Sequence, residues 1–242
     1  MAGQQDLKLL QPHDYDELYR EGKTSPGEVG TSLDVIPWDI GAPQPIIVEL
    51  AQAGEITGPV LDAGCGLGEN ALFFAECGYQ VTGVDASSCA IEDNRTKAHE
   101  RGLQVEFVVA DATTMEGVEG PFRTAVDSAL LHCLDADAQR SYISALHGIC
   151  ERGARLHLLC FSDMLPAEIP AYRSTEAHLR ESFSNGWMIH RLQRRGYATT
   201  FTKEKVRSLL ERDSSAMDLS HLEVDDAGRL LLPIWQLTAE RI

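Results

Sequence analysis

Positive charge is scarce in this sequence: 21 Lys and Arg stand against 37 Asp and Glu, a formal net charge of −16 over 242 residues. A surface that acidic repels phosphate backbones and anionic headgroups, so neither nucleic acid nor a membrane surface is an expected partner. The basic patch Arg191 to Arg195 is local, and no stripe of the length that nucleic acid requires is present. Paired cysteines are also lacking. The six, at 65, 77, 89, 133, 150 and 160, include no CxxC pair, which suits a reducing cytosol better than a disulfide framework. The stretch MAGQQDLKLLQPHDYDEL has no long apolar run and carries acidic residues early. Neither a signal peptide nor a membrane-spanning helix is expected there, and the cytoplasm is the default location. No internal repeat or low-complexity tract interrupts the chain.

What is present is ordinary globular material, 43% hydrophobic and 24% charged, enough for one large α/β domain with a sizeable core. Residues 1–43 are polar and rich in turn formers, and read as a separate segment. From Pro45 the pattern alternates. PIIVELAQAGEI reads as a helix ended near Gly58-Pro59, PVLDAG as a strand, and ENALFFAECG as a helix stopped at Gly78. YQVTGVD is a strand, followed by a helix capped by Ser87 or Ser88. LQVEFVVAD and FRTAVDSALL are strands, Asp135 opens a helix, and ARLHLLCFS is the next strand. STEAHLRESF then reads as a helix and GWMIHRLQR as a strand. In the last strand, GRLLLPIWQLTAER, Pro233 suggests an irregular or edge position. The polar segment 196–226, with the helix-like run KEKVRSLLER, reads as an insertion between the last two strands that could cover a site. Strands alternating with helices imply a doubly wound, mostly parallel sheet, whose ligands bind at the carboxyl ends of the strands.

The strongest motif is VLDAGCGLGEN, residues 60–70. A strand delivers Asp62, and Gly64, Gly66 and Gly68, with Cys65 between the first two, turn the chain into a helix. Glycine there permits positive φ and close approach of a ligand. The spacing is G-x-G-x-G rather than the dinucleotide G-x-G-x-x-G, and Glu69 opens the helix. A pyrophosphate would meet two carboxylates, whereas a ligand with an ammonium and a sulfonium suits them. The pattern therefore favours S-adenosylmethionine over a nicotinamide cofactor. About twenty residues on, Asp85 ends the strand of VTGVDAS, where a carboxylate can accept hydrogen bonds from both ribose hydroxyls. It would look the same as a helix cap. Asp111, in VVADAT, or a neighbouring backbone amide could hold an adenine amino group, or Asp111 could simply close a turn.

In their order and spacing VLDAGCGLG, GVDAS, VVADAT and AVDSALLH resemble the class I S-adenosylmethionine-dependent methyltransferases, over about residues 45–163. IPWDIGAPQP, DSALLH and LLCFSD narrow the likeness to bacterial small-molecule methyltransferases of the heterocyclic toxin methyltransferase type, with thiopurine and halide/thiol methyltransferases more distant. Leu67 departs from the small polar residue usual in the family's turn. The resemblance implies a Rossmann-like seven-stranded sheet with its last strand antiparallel, and an N-terminal lid over residues 1–43 of the chain. It places Asp62 and the glycines at the methionine end, Asp85 with Ala86 at the ribose, and Asp111 with Ala112 at the adenine. Trp38 and Gln44 would belong to the lid.

Methyl transfer is an in-line displacement, so the protein aligns the nucleophile and, where needed, removes its proton. DSALLHC, residues 127–133, leaves the fourth strand beside the expected methyl position. His132 is the candidate base, with a structural histidine as the alternative. Asp127 could orient the methionine end or the acceptor, or serve as a buried structural carboxylate. Asp127 with Asp163 lacks the further ligands that a magnesium site wants, so no metal is expected. Tyr15, Tyr19, Trp38, Tyr172, Trp187, Tyr197 and Phe201 could line an aromatic acceptor pocket. The expected activity is methylation of an O, S or N atom of a small, aromatic or heterocyclic molecule by a monomer or homodimer. A protein that binds S-adenosylmethionine without turnover, or a nicotinamide-dependent oxidoreductase, are the alternatives.

Overall fold

The computed structural model describes residues 12–21, 36–167, 169, 171–212 and 218–242. Its seven strands are β1 (Val60–Ala63), β2 (Val81–Asp85), β3 (Glu106–Val109), β4 (Phe122–Ser128), β5 (Cys150–Phe161), β6 (Trp187–Ala198) and β7 (Leu231–Arg241). They form one sheet in the order β3-β2-β1-β4-β5-β7-β6. The first five strands run parallel, β7 is antiparallel to β5, and β6 is antiparallel to β7. Strand order reverses between β1 and β4, where Ala63 stands level with Asp127. A crevice opens at such a reversal because the crossover helices leave to opposite faces.

Helices α2 (Pro45–Gln52), α3 (Glu69–Glu76) and α4 (Ser88–Arg101) cover one face, and α5 (Ala136–Ile149) and α6 (Glu176–Ser182) the other. Alternation along the strands divides the core between them. Val60 and Val126 pack with Ile47, Leu72 and Ile91, while Leu61 and Ala125 pack with Tyr142, Leu146 and Leu179. Each fully buried aliphatic side chain contributes about 2 kcal/mol, so the two layers hold the crevice rigid. The caps follow the chain chemistry: Ser87 Oγ accepts the Ala90 amide of α4, and Asp135 accepts two amides of α5.

Several expectations are corrected. Within the polar N-terminal segment, residues Pro12–Glu21 form a helix, α1; positions 1–11 and 22–35 lie outside the described residues. Helix α2 ends at Gln52, with Gly54 at φ 70°, well before Gly58-Pro59. The strand carrying Pro233 is not an edge; β6 is. Proline is tolerated because the β5 ladder stops at Phe161 opposite Ile234, so the prolyl nitrogen, which cannot donate, has no β5 carbonyl to meet. Strand β6 runs on to Ala198, so the connection between the last two strands spans 199–230 and carries α7 (Lys203–Arg212). Leu165, Leu219, Leu222, Leu230 and Leu232 form a third, smaller apolar cluster with Phe161 and Phe201 beneath it.

Candidate functional site

The loop after β1 is shaped by what stands against it. Gly64, Gly66 and Gly68 all have positive φ. A Cβ at Gly64 would lie 2.8 Å from Leu130, and one at Gly68 2.6 Å from Asn94 Oδ1. No side chain fits either place, whatever the dihedral strain. The Gly66 peptide is held on both sides: its N–H donates to Asp85 Oδ2 at 2.8 Å, and its carbonyl accepts from Asn94 Nδ2 at 2.7 Å. Lys97 Nζ reaches the Leu67 carbonyl at 2.8 Å. Asn94 and Lys97 were not among the residues that motif reading singled out. The available signal was an amide on the inward face of α4, in line with Ile91 and Ala98.

Asp62 is fully buried, and neither of its oxygens has a hydrogen-bond partner among the described residues. Burial and then the neighbouring Asp127 push its carboxyl up to about 7, only partly offset by the Ala71 amide, which lies nearby but outside hydrogen-bond geometry. Asp127 is also buried and raised to about 7 by desolvation, although its oxygens accept the amides of Leu130 at 2.8 Å and Leu131 at 3.1 Å. It closes the turn that carries His132. Asp85 accepts the Gly66 amide and, through Oδ1, that of Ser87 at 2.9 Å; burial still leaves it above the usual carboxylate range. Each carboxylate oxygen keeps a further lone pair for a ligand hydroxyl. Ala86 is exposed beside it. Asp111 is exposed just past β3, its Oδ1 accepting from the amide and hydroxyl of Thr113, with Ala112 half-buried next to it.

Beyond β4, His132 is buried and stacked on Phe161, ring centres 3.9 Å apart. Its Nδ1 accepts the Phe161 amide at 3.2 Å, which fixes the neutral ring with its proton on Nε2. Burial lowers its pKa to about 3. Cys133 accepts a hydrogen bond from the Tyr15 hydroxyl at 3.1 Å, and burial pushes its thiol up to about 12. Cys65 is buried and shifted the same way. Trp38 lies 6.1 Å from Tyr15, centre to centre. Gln44 is buried, its Nε2 donating to the Ala198 carbonyl at 3.1 Å while Oε1 has no partner among the described residues.

The expected aromatic wall divides. Tyr197 reaches Ser128 Oγ at 3.2 Å, and the Tyr172 amide donates to the His132 carbonyl. Tyr15, Tyr19 and Trp38 gather over the crevice. Trp187 does not join them: it opens β6 at the opposite end of the sheet, level with Arg241, and is buried against Phe183 and His147. Asp163 pairs with Arg194 at 3.0 Å.

The orphaned acceptors decide what fits. Two Asp62 oxygens and Gln44 Oε1, buried without donors, want a ligand rich in N–H groups and positive charge, such as the ammonium of a methionyl group. Comparison with known proteins agrees. Residues 60–153 match the family described as methyltransferase domain. The chain is 38% identical over 156 residues to the 2-heptyl-1-hydroxyquinolin-4(1H)-one methyltransferase of Mycobacteroides abscessus, covering 63% of this chain and 69% of that protein. A structure solved in work on the conversion of a disulfide bond into a thioacetal group during echinomycin biosynthesis superposes with a TM-score of 0.74 at 34% identity. That match covers 95% of this chain and 92% of the other. The magnesium protoporphyrin IX methyltransferase of Synechocystis PCC 6803, with S-adenosylmethionine bound, shares the fold with a TM-score of 0.56 at 23% identity, covering 81% and 76%. The chain belongs to the class I S-adenosylmethionine-dependent methyltransferases, and S-adenosylmethionine is its cofactor.

Proposed function

We propose that this enzyme methylates an O, S or N atom of a small, aromatic or heterocyclic acceptor held beside the His132–Phe161 stack. The observation that carries the reading is the apolar ground around that stack. Met164 and Tyr172 are exposed there, 52% and 39%, and Phe161 joins the leucine cluster under the 199–230 connection. A flat apolar acceptor would recover about 25 cal/mol for each Å² it covers on such a surface. The hydroxyquinolinone named for the Mycobacteroides relative has this character.

The site residues receive their roles on the same basis. Asp62 takes the cofactor ammonium, Gly64, Cys65, Gly66 and Gly68 give the backbone approach, and Asp85 with Ala86 takes the ribose. Asp111 and Ala112 border the adenine, and Trp38 and Gln44 wall the methionyl end. When bound, S-adenosylmethionine supplies a methyl on a sulfonium, which passes to the acceptor's lone pair as its own bonding pair returns to sulfur. His132 was the expected base, yet its Nδ1 lone pair is engaged and its proton sits on Nε2. This favours a fixed donor and stacking platform that orients the acceptor, with Asp127 setting the turn that presents it. An acidic hydroxyl or thiol would then lose its proton to solvent before reaction.

Residues 1–43 serve as the lid and 44–242 as the catalytic domain, with the 199–230 connection closing over the acceptor. No helix among the described residues is long and apolar enough to cross a membrane. The net charge of −16 disfavours nucleic acid and anionic membrane surfaces as partners, and we place the enzyme in the cytoplasm as a monomer or homodimer. A screen of phenols, quinolones, thiols and halides, read as S-adenosylhomocysteine by mass spectrometry, tests the reading. Turnover is expected with hydroxylated heterocycles. Cofactor binding without product on any acceptor would support a binding protein instead.

A further inference from the structure

The methionyl end of the cofactor is a zwitterion, and the carboxylates and amide oxygens around the loop answer only half of it. Four buried acceptor atoms around the loop lack donors: both Asp62 oxygens, Gln44 Oε1 and Asn94 Oδ1. They suit the ammonium. The methionyl carboxylate, however, would enter a crevice already holding Asp62, Asp85 and Asp127, and needs a donor there. Two nearby side-chain donors are occupied by the loop itself, Asn94 Nδ2 on the Gly66 carbonyl and Lys97 Nζ on the Leu67 carbonyl.

Helix α1 brings another. The Tyr19 hydroxyl stands 3.0 Å from where a Cβ on Gly66 would be, directly against the open side of the loop. Its oxygen accepts from Trp38 Nε1 at 3.4 Å, so its own proton is left for a different acceptor. One turn earlier the Tyr15 hydroxyl donates to Cys133, tying α1 to the turn that follows β4. Asp16 ties it to the N-terminus of α4: Oδ1 accepts from Ser87 Oγ at 2.8 Å, the Cys89 amide at 3.1 Å and Ser88 Oγ at 3.4 Å. A carboxylate on the first turn of a fourteen-residue helix also meets the positive end of its dipole. Arg20 steadies the other oxygen at 2.5 Å.

We propose that Tyr19 is the donor that recognises the methionyl carboxylate of the cofactor, and that Asp16 is the positioning residue that seats it by clasping α1 to the start of α4. This rests on the reading of the glycine loop as the methionyl end of the site. The clasp spans 71 residues of sequence, so cofactor affinity depends on a contact far from the motifs that define the family.

The experiment compares two ligands by calorimetry, S-adenosylhomocysteine and its decarboxylated analogue, on the full chain. Tyr19→Phe, which keeps the ring and its packing, should bind S-adenosylhomocysteine about tenfold more weakly, as expected for losing a hydrogen bond to a charged group. It should bind the decarboxylated analogue as the parent protein does. Asp16→Ala should follow the same pattern, and Asp16→Glu should recover part of the loss. With the acceptor in hand, Tyr19→Phe should raise KM for the cofactor while kcat stays within twofold. Equal losses for both ligands, or no loss for S-adenosylhomocysteine, would overturn the assignment. Asp85→Ala separates the two levels: it should weaken both ligands alike, and if it weakens neither, the site reading itself fails.

Discussion

Asn94 sits on the inward face of α4 with no exposure, where a leucine would ordinarily stand. Its amide is there for the loop: Nδ2 satisfies the Gly66 carbonyl, and its Oδ1 fills the place a Cβ on Gly68 would need. Asn94→Asp replaces that donor by an oxygen facing the carbonyl, leaving a buried acceptor unsatisfied at a cost of about 1–3 kcal/mol. We expect affinity for S-adenosylhomocysteine to fall at least tenfold in calorimetry. Unchanged affinity would show that the loop holds its shape without the clamp. Gly68→Ala should be as harmful, because φ is +81° and the new methyl would stand 2.6 Å from Asn94 Oδ1. At this scale the sequence was legible where a residue type announces its backbone. The three glycines and the carboxylates at strand ends could be read without a structure. Asn94 could not, and Tyr19 was legible only as a candidate wall of an aromatic acceptor pocket, because a polar group within a helix has many uses and its partner is fixed only when distant segments meet. His132 was visible as an imidazole at the right place, but its proton is set by the Phe161 amide of a strand 29 residues away.

Elements were legible in proportion to how far local chemistry governs them. The five parallel strands carry short, mostly apolar runs bounded by turn residues, and α4, α5 and α6 carry side-chain caps at Ser87, Asp135 and Thr175, so these were readable. Helix α1 was not, since PHDYDELYRE is polar overall and its apolar stripe is a single short one, Tyr15, Leu18 and Tyr19, a pattern that makes sense only against the crevice. The position of β7 inside the sheet was hidden for a similar reason, because Pro233 argues locally for an edge while the stagger of β5 decides that it is tolerated. The caps give an independent test of how far elements act separately. Asp135 Oδ1 accepts the amides of Asp137 and Ala138 at 3.0 and 2.9 Å, opening α5. Asp135→Ala should cost about 1 kcal/mol and lower Tm by about 2–4 °C in a chain of this size. Affinity for S-adenosylhomocysteine should stay within twofold, because α5 supports the opposite face of the sheet from the glycine loop. A loss of affinity larger than that would mean that the turn through His132, which α5 follows, transmits strain into the cofactor site.

The whole molecule is acidic, and its acidity converges on one crevice that must receive a cation. Asp62 and Asp127, both raised to about 7 by burial and the first also by its neighbour, hold protons in the free protein at mildly acid pH. Raised carboxyl pKa values mean that the folded protein binds more protons than the unfolded chain between about 4 and 7. Their contribution to stability is therefore lost as pH rises through that window, and is constant above it. His132 and His157 act in the opposite direction. Burial lowers them to about 3 and about 4, so their contribution is lost as pH falls below the unfolded value of about 6.5. The ligand-free protein is thus under two opposed pulls across mildly acid pH, and a melting curve alone would not separate them. Ligand binding does. An ammonium beside Asp62 requires the ionised carboxylate, so below pH 7 binding must expel a proton, and affinity should rise by about tenfold per pH unit for one proton released. Above 7 it should level off. Calorimetry with S-adenosylhomocysteine from pH 5.5 to 7.5, below the range where an α-amino group loses its charge, reads this slope. Repeating one pH in buffers of different ionisation enthalpy counts the proton directly. Asp62→Asn should bind more weakly at pH 7.5 and show a flatter profile, since the residue that must ionise is gone. A parent protein whose affinity is level across the whole range would place the ammonium elsewhere, and would remove the reason for keeping an unpartnered carboxylate in the core.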